Sequence, residues 1–367
     1  MSSFDYMPDA LNLARKGIGQ TSPNPTVGAV IVKDGRIVGQ GFHTWAGLKH
    51  AEVIALDEAG AAARGATMYV TLEPCCHAGR TAPCADAVIA AGIVKIVCPM
   101  RDPNSLVAGK GFQKLIDAGV EVVIDGAYTG AAEKLNEPFL HFMKTRLPLV
   151  TVKSALTLDG KIAAPLSNEG WITSEIARAH VQQLRHASDA ILTGIATVLN
   201  DDCLLTDRSG LPRSRPLLRI VLDSQLRVPL TSKMIAGAAN DLLIVGTSAA
   251  SQERRRALEE RGVNVLIADG SKGRTDLSTL MKYLADQKYQ SLMVEAGSKV
   301  NWAFLDSGVA DKIFFYYAPK ILGGLESLPV AGGSGRARRA DAILVERTTL
   351  HSISKDEFAV EAYVVKQ

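Results

Sequence analysis

The chain has 367 residues, enough for two domains at roughly 150 residues each. Apolar residues make up 47% and charged residues 22%, which excludes a mainly disordered or fibrous chain. The formal charge of +3 is too small for a surface that coats nucleic acid or anchors to a membrane. No apolar run approaches the roughly 20 residues of a transmembrane helix. The opening MSSFDYMPDALNLARK carries Asp5 and Asp9 where a signal peptide needs an apolar stretch. A cytoplasmic protein with neither a nucleic-acid nor a membrane partner is expected.

Met7, Ala10, Leu11, Ala14 and Ile18 predict an amphipathic helix over 4–18. Apolar 27–32 and 36–39 flank Asp34-Gly35, the signal of a β-hairpin. The pattern then predicts a helix over 50–62, a strand over 67–72, a helix over 84–91 and a strand over 94–98. A helix over 112–118 and a strand over 120–124 follow. This alternation implies a mostly parallel sheet covered by helices, an α/β/α sandwich. A helix over 128–143 ends at Thr145-Arg146-Leu147-Pro148, the expected junction between domains 1–145 and 146–367. Beyond it the alternation restarts, with strands over 149–156, 190–194, 217–223, 241–247, 263–268 and 291–295. Helices are expected over 174–187, 251–261, 276–287 and 298–307. The strand-rich tail, 312–317, 342–353 and 357–366, predicts antiparallel addition to a sheet edge. The segment AGGSGRARRAD (331–341) lacks the strand–glycine loop–helix context of a phosphate cradle and is expected to be a solvated loop. The halves show no internal repeat and read as different folds.

Five cysteines, an odd number in a long chain, do not suggest a disulfide framework. Cys75, Cys76 and Cys84 are close together, and in a reducing compartment such a cluster points to metal. Cys98 and Cys203 lie in apolar surroundings and are expected to be packing residues.

The chemistry is concentrated in His50-Ala51-Glu52 and Glu73-Pro74-Cys75-Cys76-His77-Ala78-Gly79-Arg80-Thr81-Ala82-Pro83-Cys84. One imidazole and two thiolates supply three zinc ligands and leave a fourth tetrahedral position open, as catalysis requires. Two thiolates neutralise the dication, so a separate proton carrier is needed, and Glu52 suits it. Positions i and i+2 do not share a helix face, so His50 and Glu52 reach one site only where a helix meets the metal end-on. The same geometry is expected at Cys75, with Pro74 fixing the helix start. H-x-E with P-C-x-x-C marks nucleobase deaminases, with Glu as acid/base. Here Ala78 stands where the second cysteine of that motif would be, and the next cysteine after Cys76 is Cys84. Cys76 is expected to pack. The alternative is a structural zinc with His77 as fourth ligand, which gives Glu52 no reason to be there.

GFHTWAGLKHAE (41–52), TLEPCCHAGRTAPC (71–84) and DPNSLVAGKG (102–111) resemble the bifunctional riboflavin-biosynthesis deaminase/reductase family. The resemblance extends over essentially the whole chain. It implies a cytidine-deaminase-like α/β/α sandwich followed by a dihydrofolate-reductase-like α/β domain. It further implies zinc on His50, Cys75 and Cys84, Glu52 as proton shuttle, and a diaminopyrimidinone ribosyl 5′-phosphate as substrate. Asn24, His43, His77, Arg80, Asp102 and Asn104 fall where the family lines that substrate's pocket. Arg80 on a glycine-bearing loop also makes chemical sense as a phosphate partner.

In the second half no G-x-G-x-x-G follows a strand, so a Rossmann dinucleotide site is not supported. Val294-Glu295-Ala296-Gly297-Ser298 instead forms an apolar strand turning into a helix, whose free N–H groups suit phosphate. Lys153–Ala163, Trp171–Ser174, Gly194–Asp202 and Leu222–Ser224 resemble the family's reductase half. That resemblance implies NADPH at Ala155, Trp171, Thr197, Asp201 and Ser224. It adds the turn Gly297-Ser298-Lys299-Val300-Asn301-Trp302-Ala303. The substrate is expected at Lys153, Glu169, Arg185, Leu205, Arg208 and Glu295. Glu169 departs from the small hydroxyl residue the family usually places there. Hydride transfer to the sugar carbon C1′ is the implied reaction, with Lys153 and Glu295 as candidates for assisting ring opening. A homodimer or higher homo-oligomer is the expected state. Two rivals make different demands. A single-function nucleoside deaminase requires P-C-x-x-C and a basic or aromatic face, and a zinc-stabilised binding module requires a fourth protein ligand.

Overall fold

The computed structural model describes residues 5–44, 49–76, 82–104, 107–166 and 169–366. The chain divides into two compact units, Met1–Arg146 with Pro212–Arg215, and Leu147–Leu211 with Pro216–Gln367. Among the described residues no helix is long and apolar enough to cross a membrane.

The first unit begins with α1 (Met7–Arg15), which buries Met7, Ala10, Leu11, Leu13 and Ala14, the stripe expected of a helix with one apolar face. β1 (Gly28–Lys33) and β2 (Arg36–Phe42) form the hairpin. Its central residues, Asp34 and Gly35, both have left-handed φ, 51° and 74°, as a tight hairpin turn requires. α2 (Ala51–Ala59), β3 (Thr67–Val70), α3 (Cys84–Ala90), β4 (Lys95–Cys98), α4 (Lys110–Asp117) and β5 (Glu121–Ile124) follow. Among the described residues the sheet order is β2-β1-β3-β4-β5. The sheet is mixed rather than mostly parallel: β1 runs antiparallel to both β2 and β3, and only β3–β4 and β4–β5 are parallel. The hairpin explains this, because β3 pairs with the free side of its first strand. A side chain at Gly41 would come within 2.5 Å of the Ala51 carbonyl oxygen, so glycine on β2 lets the first turn of α2 lie directly on the sheet.

The single helix expected over 128–143 is two, α5 (Thr129–Leu135) and α6 (Glu137–Thr145). They break at Asn136, and Pro138 lies in the first turn of α6. Asn136 is 2% exposed. Its side chain accepts the Thr26 N–H at 2.7 Å and donates to the Thr26 carbonyl at 3.0 Å, which fixes the loop around Asn24.

The second unit contains β6 (Leu149–Thr157), β7 (Lys161–Ala163), α7 (Glu175–Ala187), β8 (Ala190–Gly194), α8 (Ile195–Asp201) and β9 (Leu218–Leu222). It continues with α9 (Lys233–Ala236), β10 (Leu242–Gly246), α10 (Gln252–Glu259), β11 (Asn264–Ile267), α11 (Leu277–Asp286), β12 (Ser291–Val294) and α12 (Ser298–Asp306). β13 (Lys312–Ala318), β14 (Leu328–Pro329), β15 (Val345–Ser352) and β16 (Phe358–Val364) complete it. β7 and β14 pair antiparallel with each other, and the other described strands of this unit form a sheet of order β11-β10-β9-β8-β12-β6-β13-β16-β15. It is parallel from β11 to β13 and antiparallel at β16 and β15. Of the tail's three strands, the first therefore joins in parallel and only the last two add as expected. Buried Val152, Leu192, Ile220, Leu243 and Val294 fill one side of this sheet's core, and buried parallel strands accordingly read as apolar runs. The 331–341 loop is not wholly solvated: Arg336 lies over the Trp302 ring at 5.5 Å and pairs with Asp306 at 2.7 Å on α12.

Candidate active sites

In the first unit, His50 is the N-cap of α2 and Glu52 lies in its first turn. Both reach the site end-on. On the cysteine side the helix start is at Cys84, the first residue of α3 after Pro83. Cys75 instead occupies the irregular stretch after β3, and its sulfur accepts the Cys84 N–H at 3.3 Å. The end-on helix expected at Cys75 therefore belongs to Cys84, because Pro83 offers the same fixed φ as Pro74. His50 Nδ1 lies 3.6 Å from Cys75 Sγ and 3.2 Å from Cys84 Sγ, and the three donor atoms all lie within 4.8 Å of one another. A tetrahedral zinc with ordinary Zn–S and Zn–N bonds spans an S···N edge of about 3.5 Å, so the donor set fits zinc. Cys76, half-buried, is not one of this donor group.

The electrostatics agree. The Cys84 hydrogen bond, with help from His50, holds the Cys75 thiol down at about 4, whereas the same hydrogen bond and burial push Cys84 up. Two thiolates this close repel, and a dication between them relieves that repulsion. The hydrogen bond that His50 donates to the Cys75 sulfur raises His50 above its ordinary value. Glu52 is 4% exposed, and burial pushes its carboxyl up to about 7.

Asn24 Nδ2 donates to His43 Nε2 at 2.9 Å, so His43 carries its proton on Nδ1 and donates it to the Lys49 carbonyl at 2.9 Å. Burial lowers the His43 pKa, and its ring meets that of His50 edge-on at 5.1 Å. Asn24, His43 and the metal donors are thus linked. Asp102 is buried, and its Oδ1 accepts the Asn104 N–H at 2.8 Å. His77 and Arg80 lie outside the described residues. Two further residues have no local sequence signal, Asn136 and Glu73. Glu73 stands inside the cysteine motif, but its partners are Asp102, Gly109 and Phe112, far along the chain.

In the second unit, Glu295 follows β12, beside β6 with Lys153 and within reach of Arg185 on α7. Lys153 Nζ lies 3.2 Å from Glu295 Oε1, while Arg185 Nε and Nη2 donate to Oε2 and Oε1 at 3.1 and 3.0 Å. Arg185 Nη1 donates to the Thr206 carbonyl at 2.9 Å. Burial would raise the Glu295 carboxyl, but Lys153 and Arg185 outweigh it and hold it at about 2. Leu205 is buried with a left-handed φ of 51°. Arg208 is exposed, its backbone N–H bonded to Gln182.

Of the expected nicotinamide residues, Ser224 and Gly297 follow the carboxyl ends of the parallel strands β9 and β12, and Thr197 lies in the helix after β8, where open sheets bind ligands. Gly297 is the N-cap of α12, and Thr197 and Asp201 lie on α8. Burial raises Asp201. Ser224 follows β9, its carbonyl accepting both the backbone N–H and the hydroxyl of Thr247. Asn301 Nδ2 donates to Ser154 Oγ and the Val330 carbonyl. Thr193 Oγ1, Ser298 Oγ and Asn301 Oδ1 are buried without a protein partner among the described residues, as suits a polar ligand at this edge. Ala155, Val300, Trp302 and Ala303 are half-buried and Lys299 is exposed. Glu169 is exposed. Trp171 is 70% exposed, with Arg178 over its ring at 4.8 Å.

Two family models match the chain. The cytidine and deoxycytidylate deaminase zinc-binding region covers residues 2–100, and the RibD C-terminal domain covers 148–355. The riboflavin biosynthesis protein RibD of Actinobacillus pleuropneumoniae is 41% identical over 356 residues, 97% of this chain and 94% of that one. Among solved structures, Acinetobacter baumannii RibD superposes with a TM-score of 0.84 at 39% identity, covering 98% of both chains. The diaminohydroxyphosphoribosylaminopyrimidine deaminase/5-amino-6-(5-phosphoribosylamino)uracil reductase of Thermotoga maritima gives 0.83 at 34% identity, again over 98% of both. The reductase region sets aside a single-function deaminase, and the two regions together make a bifunctional zinc- and NADPH-dependent enzyme of riboflavin biosynthesis. With both halves matched along nearly its full length, the chain belongs to the family of riboflavin biosynthesis protein RibD.

Proposed function

We propose that residues 1–145 hydrolytically deaminate 2,5-diamino-6-(5-phosphoribosylamino)pyrimidin-4-one. Residues 146–367 then reduce the ribosyl chain of the product to give 5-amino-6-(5-phosphoribitylamino)uracil. The observation that carries the first step is the three-donor cluster of His50, Cys75 and Cys84 beside a buried Glu52. The chemistry that zinc supplies when bound there is Lewis-acid activation of water near neutral pH. Glu52, pushed up to about 7, is matched to take one proton from the attacking water and pass it to the ring nitrogen, then to take the second from the added hydroxyl and pass it to the departing amine. Water and the amino-bearing carbon thus become a carbonyl and ammonia. Asn24 and His43 would orient the ring and Asp102 and Asn104 would line it, while His77 and Arg80 are assigned to the substrate by the family resemblance alone.

In the reductase half, NADPH supplies the hydride. Gly297–Ala303, Ala155, Trp171, Thr197, Asp201 and Ser224 would hold it, and Glu169, Arg185, Leu205 and Arg208 would hold the sugar phosphate. Glu295, held ionised by its two cations, fixes the Lys153 ammonium, the group that protonates the ring oxygen as the sugar opens. Holding donor and acceptor carbons aligned supplies most of the rate. The reading extends to a cytoplasmic homo-oligomer, which sedimentation of the purified chain tests.

Glu52→Gln separates this reading from a purely structural zinc. The variant is expected to keep its zinc and lose ammonia release by at least about 100-fold. Its NADPH oxidation on the deaminated intermediate stays unchanged. Ammonia release near the wild-type rate would show that Glu52 has no such role.

A further inference from the structure

Glu73 is 3% exposed and stands two residues before Cys75, outside the donor cluster. Its Oε2 accepts the N–H of Asp102 at 3.1 Å and of Gly109 at 2.9 Å, and its Oε1 accepts the N–H of Phe112 at 3.1 Å. A carboxylate accepts only, through both oxygens, and hydrogen bonds to a charged acceptor are roughly twice as strong as neutral ones. Three backbone donors therefore converge on one buried group. They come from both ends of the segment that carries Asp102 and Asn104. Phe112 lies in the first turn of α4, whose N–H groups have no partner within the helix. The N-cap of α4 is Gly109, which has no side chain to cap it. Glu73 does from another element what a cap residue ordinarily does from within. The packing is equally close: a side chain at Gly111 would lie 2.1 Å from the Pro74 carbonyl oxygen and 3.0 Å from Glu73 Oε1.

We infer that Glu73 is a positioning residue for the deaminase, locking the segment with Asp102 and Asn104 onto the stretch after β3 that presents Cys75. The inference rests on the reading that this segment contacts the pyrimidine substrate. Asp102 is bound through its own backbone N–H, and its Oδ1 in turn holds the N–H of Asn104. Loosening the carboxylate therefore releases two pocket residues at once and leaves the metal donors in place.

The test uses the full-length zinc enzyme and the variant E73Q. A glutamine keeps the shape but turns an –NH2 toward at least one of the three N–H donors. The expected result is a KM for the diaminopyrimidinone phosphate raised about tenfold, with kcat for ammonia release within about twofold of wild type. Zinc content and NADPH oxidation on the deaminated intermediate should not change. G111A, which pushes α4 off Pro74, should give the same split. D102N tests the reading beneath: if it leaves KM unchanged, the segment does not contact substrate and that reading fails. If D102N raises KM and E73Q does not, Glu73 does not position the segment. Zinc loss in E73Q, or a fall in kcat at unchanged KM, also overturns the inference, since the residue would then serve the metal side. Should E73Q not fold, amide exchange in the wild type decides. The N–H groups of Asp102, Gly109 and Phe112 should exchange as slowly as those of β3, and exchange at the rate of exposed loop amides refutes the lock.

Discussion

Glu52 is buried and Glu295 half-buried, and their carboxyls are driven in opposite directions, one up to about 7 and the other down to about 2. Burial acts on both, but only Glu295 has two cations, Lys153 and Arg185, within hydrogen-bonding distance. Such divergence sorts carboxyls into proton carriers and fixed anions. It also has a consequence for stability. The Glu295 carboxyl in the folded chain is held below its ordinary 4.5, so its contribution is fully present above that value. It is lost as the pH falls from about 4.5 through about 2, where protonation dissolves the cluster. The difference corresponds to on the order of 3 kcal/mol. Glu295→Gln should lower the stability of the second unit at pH 7 by a similar amount, because it leaves Lys153 and Arg185 facing a neutral amide. It should also flatten the dependence between pH 4.5 and pH 2, read as the calorimetric transition of the second unit. A variant that loses as much stability as wild type across that interval would show that Glu295 is not the group responsible.

Helix starts do much of the positioning in the deaminase half, and they show what a sequence can and cannot disclose. His50 and Glu52 at the head of α2 are legible because two residue types with one chemical purpose stand two apart, where only an end-on helix unites them. The hairpin and the long strands are equally legible, since each has a period and a turn signal. α8, β7, α9 and β14 are too short to show a period, and the proline before Cys75, like the one before Cys84, suggests a helix start that only Cys84 has. The break between α5 and α6 is hidden for another reason. The apolar pattern runs on through it, while the cause, Asn136, has its partner Thr26 at 110 positions' distance. Glu73 is hidden likewise, its donors lying 29 to 39 positions further on. Asn136→Ala strips the side chain that pairs both backbone groups of buried Thr26. It should destabilise the first unit by about 1–3 kcal/mol without removing zinc, as urea unfolding and metal analysis would show. A change below about 0.5 kcal/mol would mean that the loop around Asn24 is held by something else.

At the scale of the whole molecule, each unit contains its own core and its own reactive cluster. The core of the first runs from Met7 to Phe139. Those of the second begin at Val150 and end at Val364. His50, Cys75, Cys84 and Glu52 all belong to the first unit, and Lys153, Arg185 and Glu295 to the second. No residue of either cluster is borrowed from the other unit, so removing the metal should disable one reaction alone. Treating the purified protein with a strong zinc chelator should abolish ammonia release from the diaminopyrimidinone phosphate, and added zinc should restore it. NADPH oxidation on the deaminated intermediate should continue through the chelation, because Lys153, Arg185 and Glu295 all belong to the second unit. The first unit should also become less stable when stripped, since binding that favours the folded state adds to its stability. The transition of the second should not move. Loss of both activities on chelation would contradict this independence and place the metal's influence across the whole chain.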